Sequence, residues 1–119
     1  MYHKDLEAWK QAISLVTQIY KITKGFPKDE LFGLTSQMQR AAVSIPSNIA
    51  EGCARSGDAD TLRFIDMSIG SIAELETQLI ISKNLGYLHS DEIFDELYKT
   101  SAMMGGLKKY LKNKVSRGD

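Results

Sequence analysis

Apolar residues along this chain recur at three- and four-residue spacing, and turn clusters are few. That is the period of amphipathic helices, and no β-hairpin signal interrupts it. The pattern predicts four helices: about Lys4 to Lys24, Asp29 to Cys53, Asp58 to Leu85, and Ser90 or Asp91 to Lys112. Gly25-Phe26-Pro27 stops the first. Asp29 and Glu30 suit the positive start of the second. Ser56 or Asp58 would cap the third, and Asn84 and Gly86 close it. Ser90 would cap the fourth, with Asp91 and Glu92 in its first turn. Residues 113–119 read as a frayed tail. Four long helices on short loops predict an all-α, antiparallel up-down four-helix bundle forming a single domain over residues 1–119.

Projected at about 100° per residue, the first helix places Trp9, Ala12, Ile13, Val16, Ile19 and Tyr20 on one side. Leu15 and Ile22 widen that arc to roughly half the circumference, where one seam needs only a little over ~100°. Either this helix lies deep between two neighbours or it offers a second surface to another subunit. On the second helix Leu31, Leu34, Met38, Ala41, Ala42, Ile45 and Ile49 form one seam, while Phe32, Val43 and Ala50 fall nearly opposite. Two separated stripes favour an oligomer, with Phe32, Val43, Ala50, Leu15 and Ile22 at its interface. Pro46 lacks the N–H that would bond residue 42, so the helix kinks there or stops near Ser44 and restarts.

The third helix carries Leu62, Ile65, Ile69, Ile72, Ala73, Leu75, Leu79 and Ile80 on a wide arc, with Glu76 near its middle. A carboxylate there needs a partner, a wet seam or a proton. It is expected to be a buried or interfacial group that fixes register, with Lys108 as its salt-bridge partner. The fourth helix presents Ile93, Leu97, Met104, Leu107 and Leu111 inward. Gly105-Gly106 within it costs roughly 1 kcal/mol per glycine against alanine, so either something packs close there or the helix bends.

Composition narrows the class. The 119 residues are 43% hydrophobic and 25% charged, with fifteen basic and fifteen acidic side chains. That suits a soluble globular domain and excludes a histone-like basic protein. Zero formal charge also removes the self-repulsion that keeps small proteins apart. The lone Cys53 cannot form an internal disulfide, which fits a reducing compartment. Met1-Tyr-His-Lys-Asp leads straight into a polar-faced helix, so no signal peptide is expected. No stretch reaches the ~20 apolar residues of a membrane span. A cytoplasmic protein with no membrane role is the expectation.

Candidate chemistry is thin. The inward Glu-x-x-His pairs of di-iron bundles are absent, as are His-Glu-x-x-His and Cys-x-x-Cys, so no metal site is expected. Cys53 has no neighbouring His and reads as a packing residue. His89 belongs to a loop, and no phosphate-cradling glycine motif occurs. No cofactor and no catalytic residue is assigned, and the chain is expected not to be an enzyme. Charge is unevenly spread: residues 58–96 hold nine acidic and two basic side chains, and residues 97–119 six basic and one acidic. Lys10, Lys21, Lys24 and Lys28 follow one polar stripe of the first helix. A cluster of Lys108, Lys109, Lys112, Lys114 and Arg117 stands near the end. Such groups contact phosphates, or they simply form a solvated face.

The stretch Gly33-Leu34-Thr35-Ser36-Gln37-Met38-Gln39-Arg40-Ala41-Ala42-Val43-Ser44-Ile45-Pro46-Ser47-Asn48-Ile49-Ala50-Glu51-Gly52 closely resembles the signature of the four-helix-bundle family encoded in 23S rRNA intervening sequences. Asp5-Leu6-Glu7-Ala8-Trp9-Lys10 resembles that family's opening. Gly70-Ser71-Ile72-Ala73-Glu74-Leu75-Glu76-Thr77-Gln78-Leu79 resembles its third-helix motif. The likeness spans about residues 5–112, and Cys53 departs from the family's usual aromatic. The resemblance implies an antiparallel bundle assembling into a ring-like homopentamer. The family takes its name from where its genes lie, which leaves the role open. A fold relative, the accessory protein of diversity-generating retroelements, is thought to bind nucleic acid and a reverse transcriptase through basic surfaces. Carried to this chain, that points to Lys10, Lys21, Lys24, Arg40, Lys108, Lys109 and Lys112 as contacts for RNA or DNA. Three roles follow: an oligomeric bundle that binds RNA or a nucleic-acid-processing protein, a protein–protein scaffold, or an enzyme built at a subunit seam around Glu76 or Glu51.

Overall fold

The structure, a computed structural model, describes residues 1–118. Within them lie four α-helices and no strand: α1 (Glu7–Thr23), α2 (Leu34–Cys53), α3 (Asp58–Asn84) and α4 (Glu92–Arg117). Each helix packs on two others: α1 and α3 both touch α2 and α4. The molecule is 49 Å long and 23 × 21 Å across. Leu15 and Ile19 of α1, Ile45 and Ile49 of α2, Ile65 and Leu75 of α3, and Leu97 and Met104 of α4 fill one apolar core.

Helix ends differ from the sequence expectation for local reasons. His3–Asp5 form a 3-10 turn, and extended Leu6 (φ −80°, ψ 126°) separates it from α1. Pro27 leads a second such turn, Lys28–Glu30, so α2 begins at Leu34 rather than Asp29. The Glu30 carboxylate still serves that helix start, accepting a long 3.5 Å bond from the Leu34 N–H. Pro46 lies buried inside an unbroken α2, and Asn48 Nδ2 donates to the Ser44 carbonyl at 2.9 Å beside it. Gly86 takes the left-handed conformation (φ 80°) that ends α3, with Tyr87 N–H on the Ser82 carbonyl at 2.9 Å and Gly86 N–H on the Lys83 carbonyl at 3.0 Å. That is a Schellman stop, and glycine is the residue it favours.

The cap position of α4 is Asp91, not Ser90, although the Ser90 hydroxyl accepts from the Glu92 N–H at 3.4 Å. The expected tail is helical instead through Arg117; Asp119 lies outside the described residues. Buried Leu111 and an ion pair between Lys114 and Asp58 tie these last turns to α3. Gly105 and Gly106 sit inside α4 with open space where a Cβ would be, so no close neighbour explains them.

The α2–α3 seam is the close one. A Cβ on Gly52 would stand 2.8 Å from Phe64 Cβ and 3.1 Å from the Thr61 carbonyl oxygen. The Thr61 hydroxyl donates to the Gly52 carbonyl at 2.8 Å, and fully buried Ser68 donates to the Ile45 carbonyl at 2.8 Å. Further along, the Ser44 and Ser71 hydroxyls meet at 2.6 Å and Ser82 Oγ reaches Met38 Sδ at 3.4 Å.

Candidate functional site

The seven proposed nucleic-acid contacts do not gather in one place. Lys10 on α1 pairs with Glu7 at 3.3 Å. Lys21 and Lys24 stand about three to four turns further along the helix, where the α1–α2 connection meets residues 87–90. Arg40 lines a groove between α1 and α2 with Tyr20, Gln39 and Val43. Lys108, Lys109 and Lys112 share a shallow groove on α4 with Gly105 and Asn113. Of that trio Lys108 is spoken for: its ammonium lies 2.9 Å from Asp66. Lys21, Lys24, Arg40, Lys109 and Lys112 form no ion pair among the described residues.

The charge asymmetry of the sequence is therefore partly internal. Acidic α3 and the basic end of α4 hold each other through Asp66–Lys108 and Asp58–Lys114, and the latter pair is only 26% exposed on each side. The hydrogen bond from Lys114 to Asp58 raises the lysine pKa above its ordinary value. At the other end of the same seam Lys83 meets Asp91 at 3.1 Å.

Glu76 is half-buried, but its partner is not Lys108. The Tyr98 hydroxyl donates to it, and that bond raises the tyrosine pKa. Lys108 lies about three turns further along α4, too far to reach it. Two wheels without a register could not have distinguished these partners.

The interface residues divide. Phe32 is 93% exposed, in the turn before α2 rather than on it, and its neighbour Leu31 is exposed too instead of joining the α2 seam. Val43 is exposed and Ala50 half-buried. Leu15, by contrast, is fully buried in the chain's own core and has no surface left for a partner. Ile22 is half-buried against that core. The core line of α1 runs Ala8, Ala12, Leu15, Ile19, which leaves the opposite margin of the wide arc, Ile13 and Tyr20, at the surface. Tyr20 shares a groove with Val43, and the polar side chains Ser36, Gln39, Arg40 and Ser44 complete its lining. The sequence held the signal for this, an arc too wide for one seam, but not which edge stays open.

Cys53 is buried; burial raises its thiol pKa and the chain N-terminus partly offsets this. Among the described residues no group of His, Cys, Asp and Glu is arranged to hold a metal ion. No helix is long and apolar enough to cross a membrane. One feature escaped sequence reasoning. A cleft of about 340 Å³ opens where Lys21 and Ile22 at the end of α1, with Gly25 just beyond, face Tyr87, Leu88 and His89 of the third connection.

Four long helices packed pairwise around an apolar core define an all-α helical-bundle protein. The chain belongs to the family described as 23S rRNA-intervening sequence protein, whose sequence profile matches residues 4–107. A comparison with curated proteins finds no match.

Proposed function

We propose that this chain is the subunit of a ring-like homopentamer of antiparallel up-down bundles, cytoplasmic and non-enzymatic, that binds RNA or a nucleic-acid-processing protein. Direction along the helices supports the topology. Partners on α3 descend from Ser82 through Ser71 and Ser68 to Thr61 as those on α2 rise from Met38 to Gly52. Assembly is carried by one observation: the large apolar side chains Phe32, Ile13, Tyr20 and Val43 remain exposed on a neutral molecule. A side chain as apolar as Phe gains roughly 1.5–3 kcal/mol on burial, so exposed side chains of this kind favour association.

The unpaired cations Lys21, Lys24, Arg40, Lys109 and Lys112 support the nucleic-acid reading, because a ring repeats each of them around its axis. A scaffold without nucleic acid is the second reading, and the internal use of Lys108 and Lys114 against Asp66 and Asp58 favours it. Fluorescence anisotropy with single-stranded RNA separates them. Binding that weakens with salt and falls when Lys21, Lys24 and Arg40 are changed to Glu supports the first. Absence of binding at low salt supports the scaffold.

A further inference from the structure

We propose that the cleft between the α1–α2 and α3–α4 connections is a binding site for one ribonucleoside monophosphate unit. The inference rests on the nucleic-acid reading above and names where and how a single nucleotide would be held. Its volume, about 340 Å³, lies within the range of small-molecule sites. The floor is apolar: buried Ile93 with half-buried Ile22 and Leu88. One wall is the Tyr87 ring, fixed in place from two sides. Its hydroxyl donates to Glu30 Oε2 at 3.0 Å and its ring packs on Phe26 with centroids 5.3 Å apart. A preorganised aromatic wall over an apolar floor is a platform for a base, which stacks at little ordering cost.

Around that platform stand three polar side chains of complementary kinds. Lys21, His89 and Glu92 all line the cleft, and their side chains form no hydrogen bond or ion pair among the described residues. An ammonium suits a phosphate. An ionised carboxylate only accepts, so Glu92 suits the two donors of a ribose diol rather than a second anion. The imidazole of His89 offers a donor or acceptor to a base edge. In the α3–α4 groove the cation and one of the acids, Lys83 and Asp91, already satisfy each other.

The same chemistry is presented by a free nucleotide and by a nucleotide within an RNA strand, and one experiment distinguishes them. Uridine and adenosine monophosphate, their 2′-deoxy counterparts and a short single-stranded RNA are titrated calorimetrically into the whole protein and two variants. Gly25→Tyr plugs the mouth; a Cβ there meets only the Ile22 carbonyl at 3.7 Å, so the fold has room for it. Lys21→Glu reverses the phosphate contact on an exposed side chain, and circular dichroism checks that both variants stay helical. The site predicts ribonucleotide binding that Gly25→Tyr abolishes, that Lys21→Glu weakens about tenfold or more, and that weakens without the 2′-hydroxyl. Loss of RNA binding in the same variants places the nucleotide in a strand; RNA binding absent while the free nucleotide binds makes it a free-nucleotide site and removes the nucleic-acid reading. RNA binding equally to all three proteins, with no mononucleotide binding, overturns the site and leaves the nucleic-acid reading standing. No binding of either ligand overturns both.

Discussion

The two long seams of α3 are built by different physics. Against α2 it meets a glycine, Gly52, and a ladder of hydroxyls, Thr61, Ser68, Ser71 and Ser82, that bond across to α2. Against α4 it meets charge at both ends, Asp58–Lys114 and Asp66–Lys108 at one and Lys83–Asp91 at the other, with Glu76–Tyr98 between. The first seam depends on distance: at Gly52 even a methyl group would stand 2.8 Å from Phe64 Cβ. The second depends on ions in contact with water, which contribute little individually. One seam should therefore be steep in volume and flat in salt, and the other the reverse.

Filling the close seam gives the largest expected effect. Gly52→Ala gains about 1 kcal/mol of helix propensity. It also drives a Cβ to 2.8 Å from Phe64 Cβ, an atom close to the backbone that cannot swing aside. Overpacking of this kind costs about 1–3 kcal/mol. The expected result is net destabilisation in urea melts, and a stabilised Gly52→Ala would show that the seam relaxes freely. Ser68→Ala comes next. It removes the 2.8 Å bond to Ile45 and should lower stability by about 1 kcal/mol at any salt concentration.

On the other seam, Lys108→Met should cost at most ~1 kcal/mol at low salt, and the difference from the native chain should shrink as salt rises. If it persists at high salt, the Asp66 pair is not what the lysine contributes. The smallest effect concerns pH. Gln11 Nε2 donates to Glu96 Oε2 at 2.9 Å, and chiefly this bond holds the Glu96 carboxyl below its ordinary range. A depressed folded pKa gives stability that is present in full above the unfolded value and is lost as pH falls through the folded one. The stability gap between the native chain and Gln11→Met should thus narrow in acid. A gap that widens there would reverse the assignment.

The contrast between seams also explains what could be read in advance. Periodicity located four helices, because burial of a stripe is a property of spacing. Caps were less legible, since Pro27 and Leu6 redirect the backbone before α2 and α1 through turns that no apolar pattern marks. The charge-built seam is visible as an acidic run followed by a basic one, but the run does not show which charges meet. Register decides that Lys108 meets Asp66 and that Glu76 meets Tyr98. The close seam is not legible in the apolar pattern, because a serine that donates to a neighbouring helix looks like a serine facing water. For the same reason the wide arc of α1 does not show that Leu15 faces the chain's own core. A wide arc says that one edge is open, and only the neighbours decide which. The cleft brings the end of α1 and the turn after it, Lys21 and Gly25, to Tyr87 and His89, which are distant in the chain, and no local motif announces it.

We propose that the exposed side chains Phe32, Tyr20 and Val43 join copies of this chain into a ring that holds nucleic acid. Native mass spectrometry on gently purified protein, before any high-salt wash, tests it most directly. The expected mass is five times the 13.3 kDa of one chain, accompanied by bound nucleic acid, and reduced to a single chain by Phe32→Glu with Val43→Glu. A clean 13.3 kDa monomer from the unaltered protein would contradict it.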